Sequence, residues 1–134
     1  AFPEYTSMKT NIRNIIRSIE EPSILVFNHG DFRKRNLVVD EDNTIQVIDY
    51  EHVHMGDPMY DPACMWLSLW KYPEIQEDFF DKIRTNKYFK ESSFWKYVLC
   101  SATYMIHFGL KGGDTQKVQA FKETITEIIN NINK

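Results

Sequence analysis

Glycine is scarce: five in 134 residues, at Gly30, Gly56, Gly109, Gly112 and Gly113. None forms a G-x-G loop, and no Gly-Lys-Ser/Thr step occurs, so the sequence holds neither a glycine-rich nucleotide loop nor a Walker-type phosphate loop. Cysteine is rarer still. Cys64 and Cys100 sit in apolar stretches without activating neighbours, which reads as buried free thiols in a reducing cytoplasm, not as thiol nucleophiles. Neither sign of charge dominates: 16 basic against 19 acidic residues give a net −3, no electrostatic footprint for nucleic acid. The longest charge-free apolar stretch, Tyr97 to Leu110, falls short of the about 20 residues that span a bilayer, so no membrane partner is expected. Ala1 to Tyr5 shows neither a basic start nor an apolar run, so no secretory pattern is read there. Repeats and low-complexity tracts are absent as well.

What is present suits a single globular domain over 1–134: 43% apolar residues, 26% charged, and aromatics at 14%. Met8, Ile12, Ile15, Ile16 and Ile19 form a helical stripe over 8–21, which Pro22 stops. Ile24 to Phe27 reads as a short buried strand. Leu37–Val39 and Thr44–Ile48 flank Asp40-Glu41-Asp42-Asn43, which is hairpin material. Asp61 is placed to cap a helix through Trp70 with Pro62 at its first position. Further helices are expected over 73–85 and 91–110, and a last one carries Val118, Phe121, Ile125, Ile128, Ile129 and Ile132. The fold class is α+β and mainly helical, with a small β insert near the N-terminal third.

The insert holds most of the unusual polar residues. Asn28 to Asn36 lies between two apolar strands, and the hairpin ends in Ile48-Asp49-Tyr50-Glu51. A hairpin returns its far end near its start, so Asp49 can approach Asp31 and Asn36. Two carboxylates and an amide oxygen suit Mg²⁺, which takes a few hard oxygen ligands and keeps water and substrate phosphate on the rest. Asp and Asn at strand ends are equally ordinary turn residues when taken by composition alone.

Spacing narrows the choice. His29-Gly30-Asp31, then Asn36 five residues after the aspartate, then a hairpin and Ile48-Asp49-Tyr50-Glu51, with Gly56-Asp57-Pro58 and Asp61 downstream, resembles the aminoglycoside phosphotransferase and choline kinase superfamily. The motif core covers Phe27 to Trp66; the rest fits the C-terminal lobe of that kinase-like fold less specifically. The resemblance implies that Asp31 is the catalytic aspartate and that Asn36 and Asp49 hold Mg²⁺ against the phosphates of ATP or GTP. It implies that His29 braces the loop and that Asp61 anchors it, although capping alone also explains Asp61. Glu51 stands where many members carry an acid, for a second metal or a cationic substrate; a solvated side chain is the alternative. Arg33 lies where many protein kinases place a phosphate-contacting lysine, and a solvated basic loop with Lys34 and Arg35 is the other reading. The acidic set Asp31, Asp49, Glu51 and Asp57 suggests an acceptor that is small, polar and cationic: aminoglycoside-, choline- or sugar-like. His-Gly-Asp is nearer the antibiotic-kinase form than the His-Asn-Asp form common in choline kinases, whereas Ile-Asp-Tyr-Glu leans the other way.

Remaining residues read as structure. His52 and His54 lack the further ligands of a zinc site. His107 is expected in the core, as are Trp66, Trp70, Trp95, Tyr97 and Tyr104, whose alternative is a cage for a quaternary ammonium ion. The missing glycine-rich loop and the start on Ala1 lead to the expectation that an N-terminal nucleotide lobe is absent from this chain. A non-catalytic scaffold and a stand-alone metal-dependent hydrolase are the competing readings.

Overall fold

A computed structural model describes residues 3–132 and Lys134, with side chains from Lys9 onward, so Met8 of the predicted stripe lies outside the described side chains. Among the described residues, five α-helices and four short strands divide into two compact units, one holding those through Glu20 and again from Trp95, the other Glu21–Phe94. No helix among the described residues is long and apolar enough to cross a membrane.

In the first unit, α1 (Pro3–Arg17) buries Ile12 and Ile15 on one face. It ends four residues before the predicted Glu21. Ser18 turns its hydroxyl back onto the Ile15 carbonyl at 2.6 Å, which satisfies a helix-terminal acceptor and closes the last turn. The second helix of this unit, α5 (Thr115–Ile132), buries Val118, Phe121, Ile125, Ile128 and Ile129, the expected stripe, while Ile132 stays 38% exposed. Between them runs α4 (Glu91–Gly112), whose boundary with the other unit falls between Phe94 and Trp95. It buries Val98, Leu99, Ala102 and Ile106 and ends where Gly113 takes φ +73°. His107 and Tyr104 are exposed on α4, against the expectation of core positions: they lie on the face opposite Ala102 and Ile106.

In the second unit, β1 (Val26–Asn28) pairs antiparallel with β4 (His54–Gly56), and β2 (Leu37–Val39) with β3 (Ile45–Val47). Strand β4 is absent from the sequence reading, and β1 is not the buried strand expected. Two-stranded ribbons leave one face uncovered, so Phe27, opposite Met55 in the ladder, is 66% exposed. The β2–β3 turn is held by Asp40, which accepts the N–H groups of Asp42 and Thr44, while Asn43 takes φ +59°. Helix α2 (Tyr60–Ser68) buries Ala63, Met65 and Leu67, and packs against α3 (Pro73–Ile83). Phe94, fully buried, closes this core with ring centroids 5.5 Å from Phe80, 5.7 Å from Phe89 and 6.2 Å from Trp66. Neither Cys64 nor Cys100 is in a disulfide; both are half-buried, and burial pushes the thiol of Cys100 up.

Phe94→Ala removes a fully enclosed ring and should cost about 3–5 kcal/mol of unfolding free energy, read from urea denaturation. Hydrogen bonds from Thr44, Gln46 and Asp42 hold the Asp40 carboxyl below its ordinary value against a slight opposing desolvation. A depressed carboxylate stabilises the folded turn above the unfolded-state pKa and loses that contribution as pH falls through the folded one. Amide protection at Asp42 and Thr44, the exchange rate measured against that of an unstructured amide at the same pH, should therefore fall in acid, below the ordinary aspartate range, and Asp40→Asn should abolish that change.

Candidate active site

The loop after β1 is fixed first by backbone groups. Asp61, in the first turn of α2, accepts the His29 N–H at 2.6 Å through Oδ2 and the Gly30 N–H at 3.1 Å through Oδ1. Its carboxylate thus faces the loop; it is not the helix cap. That position falls to Met59, and Asp57 closes the turn by accepting the Met59 N–H at 2.8 Å. Asp57 is buried, and its carbonyl accepts Asn28 Nδ2 at 3.1 Å. Gly30 takes φ +88°, and a Cβ there would lie 2.0 Å from the His52 carbonyl oxygen. Between His29 and Asp31 this backbone admits glycine, which is the physical content of the His-Gly-Asp form.

His29 is buried and joins two loops. The Asp31 N–H donates to its Nδ1 at 3.2 Å, so Nδ1 is the acceptor nitrogen and Nε2 carries the proton, donated to the Ile48 carbonyl at 2.8 Å. Ile48 is gripped from its other side too, its N–H donating to the Asn36 carbonyl at 2.9 Å. The residue preceding Asp49 is therefore tied to both ends of the loop that carries Asp31 and Asn36. Tyr50 closes over the imidazole edge-on at 4.8 Å. Asp49 takes φ +67°, a left-handed conformation that among non-glycine residues asparagine and aspartate adopt most readily.

Asp31 and Asn36 are in direct contact: Asn36 Nδ2 donates to the Asp31 carbonyl at 2.7 Å and to its Oδ2 at 3.0 Å. The amide of Asn36 is thereby oriented with Oδ1 as its other end. Arg33 Nε lies 2.5 Å from Asp31 Oδ1, and Arg35 Nη2 lies 3.4 Å from Oδ2. Burial of the Asp31 carboxyl pushes its pKa up, but hydrogen bonds from Arg33 and Asn36 and the charges of Arg33 and Arg35 outweigh it, so the group sits below the ordinary carboxylate value. Lys34 takes no part: its N–H donates to Ser68 Oγ at 2.9 Å and its ammonium lies 4.8 Å from the Tyr72 ring centroid. Asp49 is exposed, its carboxylate making no hydrogen bond or ion pair among the described residues. Glu51 is exposed and pairs with His52 Nε2 at 3.2 Å.

Sequence reasoning missed Ser68 and the Ile48 carbonyl, and read Arg35 as part of a solvated basic loop where the structure turns it onto Asp31. The i,i+4 spacing of Asp31 and Arg35 was the one signal available. Among the described residues no group of three or more His, Cys, Asp or Glu side chains converges as a metal cage. Asn36 Oδ1 and the open Asp49 carboxylate nevertheless fit Mg²⁺, which is bound by one or two protein oxygens with water and phosphate completing its shell.

Residues 12–95 match the phosphotransferase enzyme family. No curated protein sequence matches the chain. Among solved structures, aminoglycoside phosphotransferase APH(4)-Ia superposes with TM-score 0.74 at 16% identity, over 97% of this chain and 45% of that one. A thermostable mutant of the same enzyme in ternary complex with AMP-PNP and hygromycin B gives TM-score 0.73 at 17% identity, over 97% and 45%. The chain thus has the fold of a kinase-like phosphotransferase and spans less than half the length of these solved relatives.

Gly30→Ala should destabilise the second unit by about 2 kcal/mol or more, from the left-handed backbone together with the collision at His52. A thermal melt reads the loss, and an unchanged midpoint would contradict the loop geometry.

Proposed function

Because the chain belongs to the phosphotransferase enzyme family, we propose that it is the catalytic lobe of an ATP-dependent kinase that phosphorylates a hydroxyl of a small polar molecule. One observation carries the reading. His29 ties the loop bearing Asp31 and Asn36 to the residue before Asp49, so the three oxygen-bearing side chains hang from one hydrogen-bonded frame.

Asp31 receives the acceptor hydroxyl. The hydroxyl oxygen forms the new bond to the γ-phosphorus, the bond to the bridging oxygen breaks, ADP leaves with that electron pair, and the hydroxyl proton passes to Asp31. A carboxylate held below its ordinary pKa stays ionised across the neutral range, so it orients the hydroxyl throughout and takes the proton late, as a loose transition state requires. Asn36 Oδ1 and Asp49 would hold Mg²⁺, which neutralises charge on the nucleotide phosphates when bound. The backbone fixes these groups in advance, and positioning supplies much of the acceleration in phosphoryl transfer.

The solved relatives bind ADP or AMP-PNP with hygromycin B, which supports a nucleoside triphosphate donor and a polyhydroxylated acceptor here. A cationic acceptor, suggested by four acidic residues, keeps the support of Asp49 and Glu51. Asp57 is buried in a turn and Asp31 is ion-paired, so neither stands open to a cation. A partner lobe carrying the nucleotide loop is part of the proposal, supported by the 45% coverage of the solved relatives and by Phe27, Met55, Val39 and Ile45, all about 60% exposed on the ribbons. A cytoplasmic location goes with that activity.

In the full-length protein, Asp31→Asn should lower phosphoryl transfer by about 10²–10⁴-fold while leaving Mg²⁺-dependent nucleotide binding intact. Asp49→Ala should abolish that binding. Isothermal titration with AMP-PNP, with and without Mg²⁺, separates the two. A non-catalytic scaffold predicts no transfer by the parent protein and no effect of either change on turnover.

A further inference from the structure

The loop between β1 and β2 ends in a single 3₁₀ turn, Lys34–Asn36, whose last residue is Asn36. The Asn36 N–H donates to the Arg33 carbonyl at 2.9 Å, and the Leu37 N–H donates to the Lys34 carbonyl. Such a turn leaves its first N–H groups without internal partners, and the residue before it ordinarily supplies a side-chain oxygen. Arg33 holds that place with an extended backbone, φ −134° and ψ 157°, and its guanidinium is turned onto Asp31. An arginine has no acceptor to give. The oxygen comes from another element: Ser68, the last residue of α2, accepts the Lys34 N–H at 2.9 Å.

The hydroxyl is oriented for that task. Its one proton goes to the Met65 carbonyl at 2.8 Å, within its own helix, so only lone pairs face the loop. The turn is therefore held at both ends, by Ser68 at Lys34 and by the Ile48 N–H on the Asn36 carbonyl. Asn36 is buried and spends its Nδ2 on Asp31, so any rotation of the turn carries its Oδ1 along. We propose that Ser68 is a positioning residue for the ion site: it caps the turn from α2 and thereby fixes the Asn36 amide that would hold Mg²⁺. The assignment rests on the reading of Asn36 as a ligand of the nucleotide-bound ion. Groups that orient a metal ligand without touching the ion commonly carry about 10–100-fold of its affinity.

Titration calorimetry of AMP-PNP on the full-length protein, with and without Mg²⁺, gives the gain in affinity that the ion supplies. Ser68→Ala keeps a good helix former and loses the acceptor. The Mg²⁺ gain should fall about tenfold, while affinity without Mg²⁺ stays within about twofold. Ser68→Thr, whose hydroxyl can make the same bond back to its helix, should keep the gain. Lys34→Pro tests the donor side, since proline suits the first position of a helical turn after an extended residue and lacks the N–H. It should lose as much as Ser68→Ala, and the double variant no more than either. Lys34→Ala, which removes only the contact with the Tyr72 ring, should cost less than about threefold. Amide exchange without metal or nucleotide is the second readout: protection at Lys34 and Asn36 should fall about tenfold in Ser68→Ala, with the amides of α5 unchanged. An unchanged Mg²⁺ gain in Ser68→Ala, where Asp49→Ala abolishes it, overturns the proposal, and so does unchanged exchange at Lys34. An equal loss with and without Mg²⁺ also overturns it, because the role is then structural only. If Mg²⁺ adds no affinity in wild type while exchange at Lys34 and Asn36 responds, the ion reading fails and the capping of the turn by Ser68 stands.

Discussion

One imidazole carries the geometry of the acidic site. His29 accepts from the Asp31 N–H and donates to the Ile48 carbonyl, so a single ring sets the distance between two loops that are separated by a hairpin in sequence. Asparagine or glutamine also combine an acceptor with a donor, but on one planar amide whose two ends are closer together and differently directed. The backbone of His29 is in turn held by Asp61, which accepts its main-chain N–H, and the ring is covered by Tyr50. Burial makes each of these bonds count, because water cannot replace a partner that is lost.

Acidic residues in this unit do two different kinds of work. Asp40, Asp57 and Asp61 each satisfy backbone N–H groups, fixing a hairpin, a turn and the loop after β1. Asp49 and Glu51 face solvent, Glu51 beside His52. Asp31 stands between these classes: ionised and bonded, it is also ringed by donors from Arg33, Arg35 and Asn36. Counting acids along the sequence therefore overstates the negative potential a ligand would meet, since backbone amides and arginines already compensate most of it.

The helices were legible because burial imposes a period of 3.6 on them, and α5 shows it in Val118, Phe121, Ile125, Ile128 and Ile129. The spacing of His29, Asp31, Asn36 and Asp49 was legible because it belongs to side chains. What binds those side chains was not, since the Ile48 carbonyl and the His29 and Gly30 amides are common to every residue type. Three-residue strands such as β4 are too short to display alternation, and apolar content at β1 was mistaken for burial. At Asp61 the helix-start signal was real but its carboxylate was claimed by a stronger need, two loop amides in place of one helical turn. His107 and Tyr104 show the limit of reading an apolar helix as all core: a helix against one neighbour keeps an outer face whatever its composition.

An isolated two-stranded ribbon is marginal in water, and this unit has two of them, each exposing apolar side chains. Ladder bonds alone would let the loops between strands drift. The loop that bears Asp31 is instead fastened to α2 at two places, by the Asp61 carboxylate near its start and by Ser68 Oγ at Lys34. Both fasteners sit on a helix whose own face is buried, so the rigidity of the acidic cluster comes from helix packing, transmitted through three hydrogen bonds. The strands then need only aim Asp49, and its left-handed backbone is held in place because Ile48 is already gripped on both sides. The helical core holds this site together, and the sheets shape its edge.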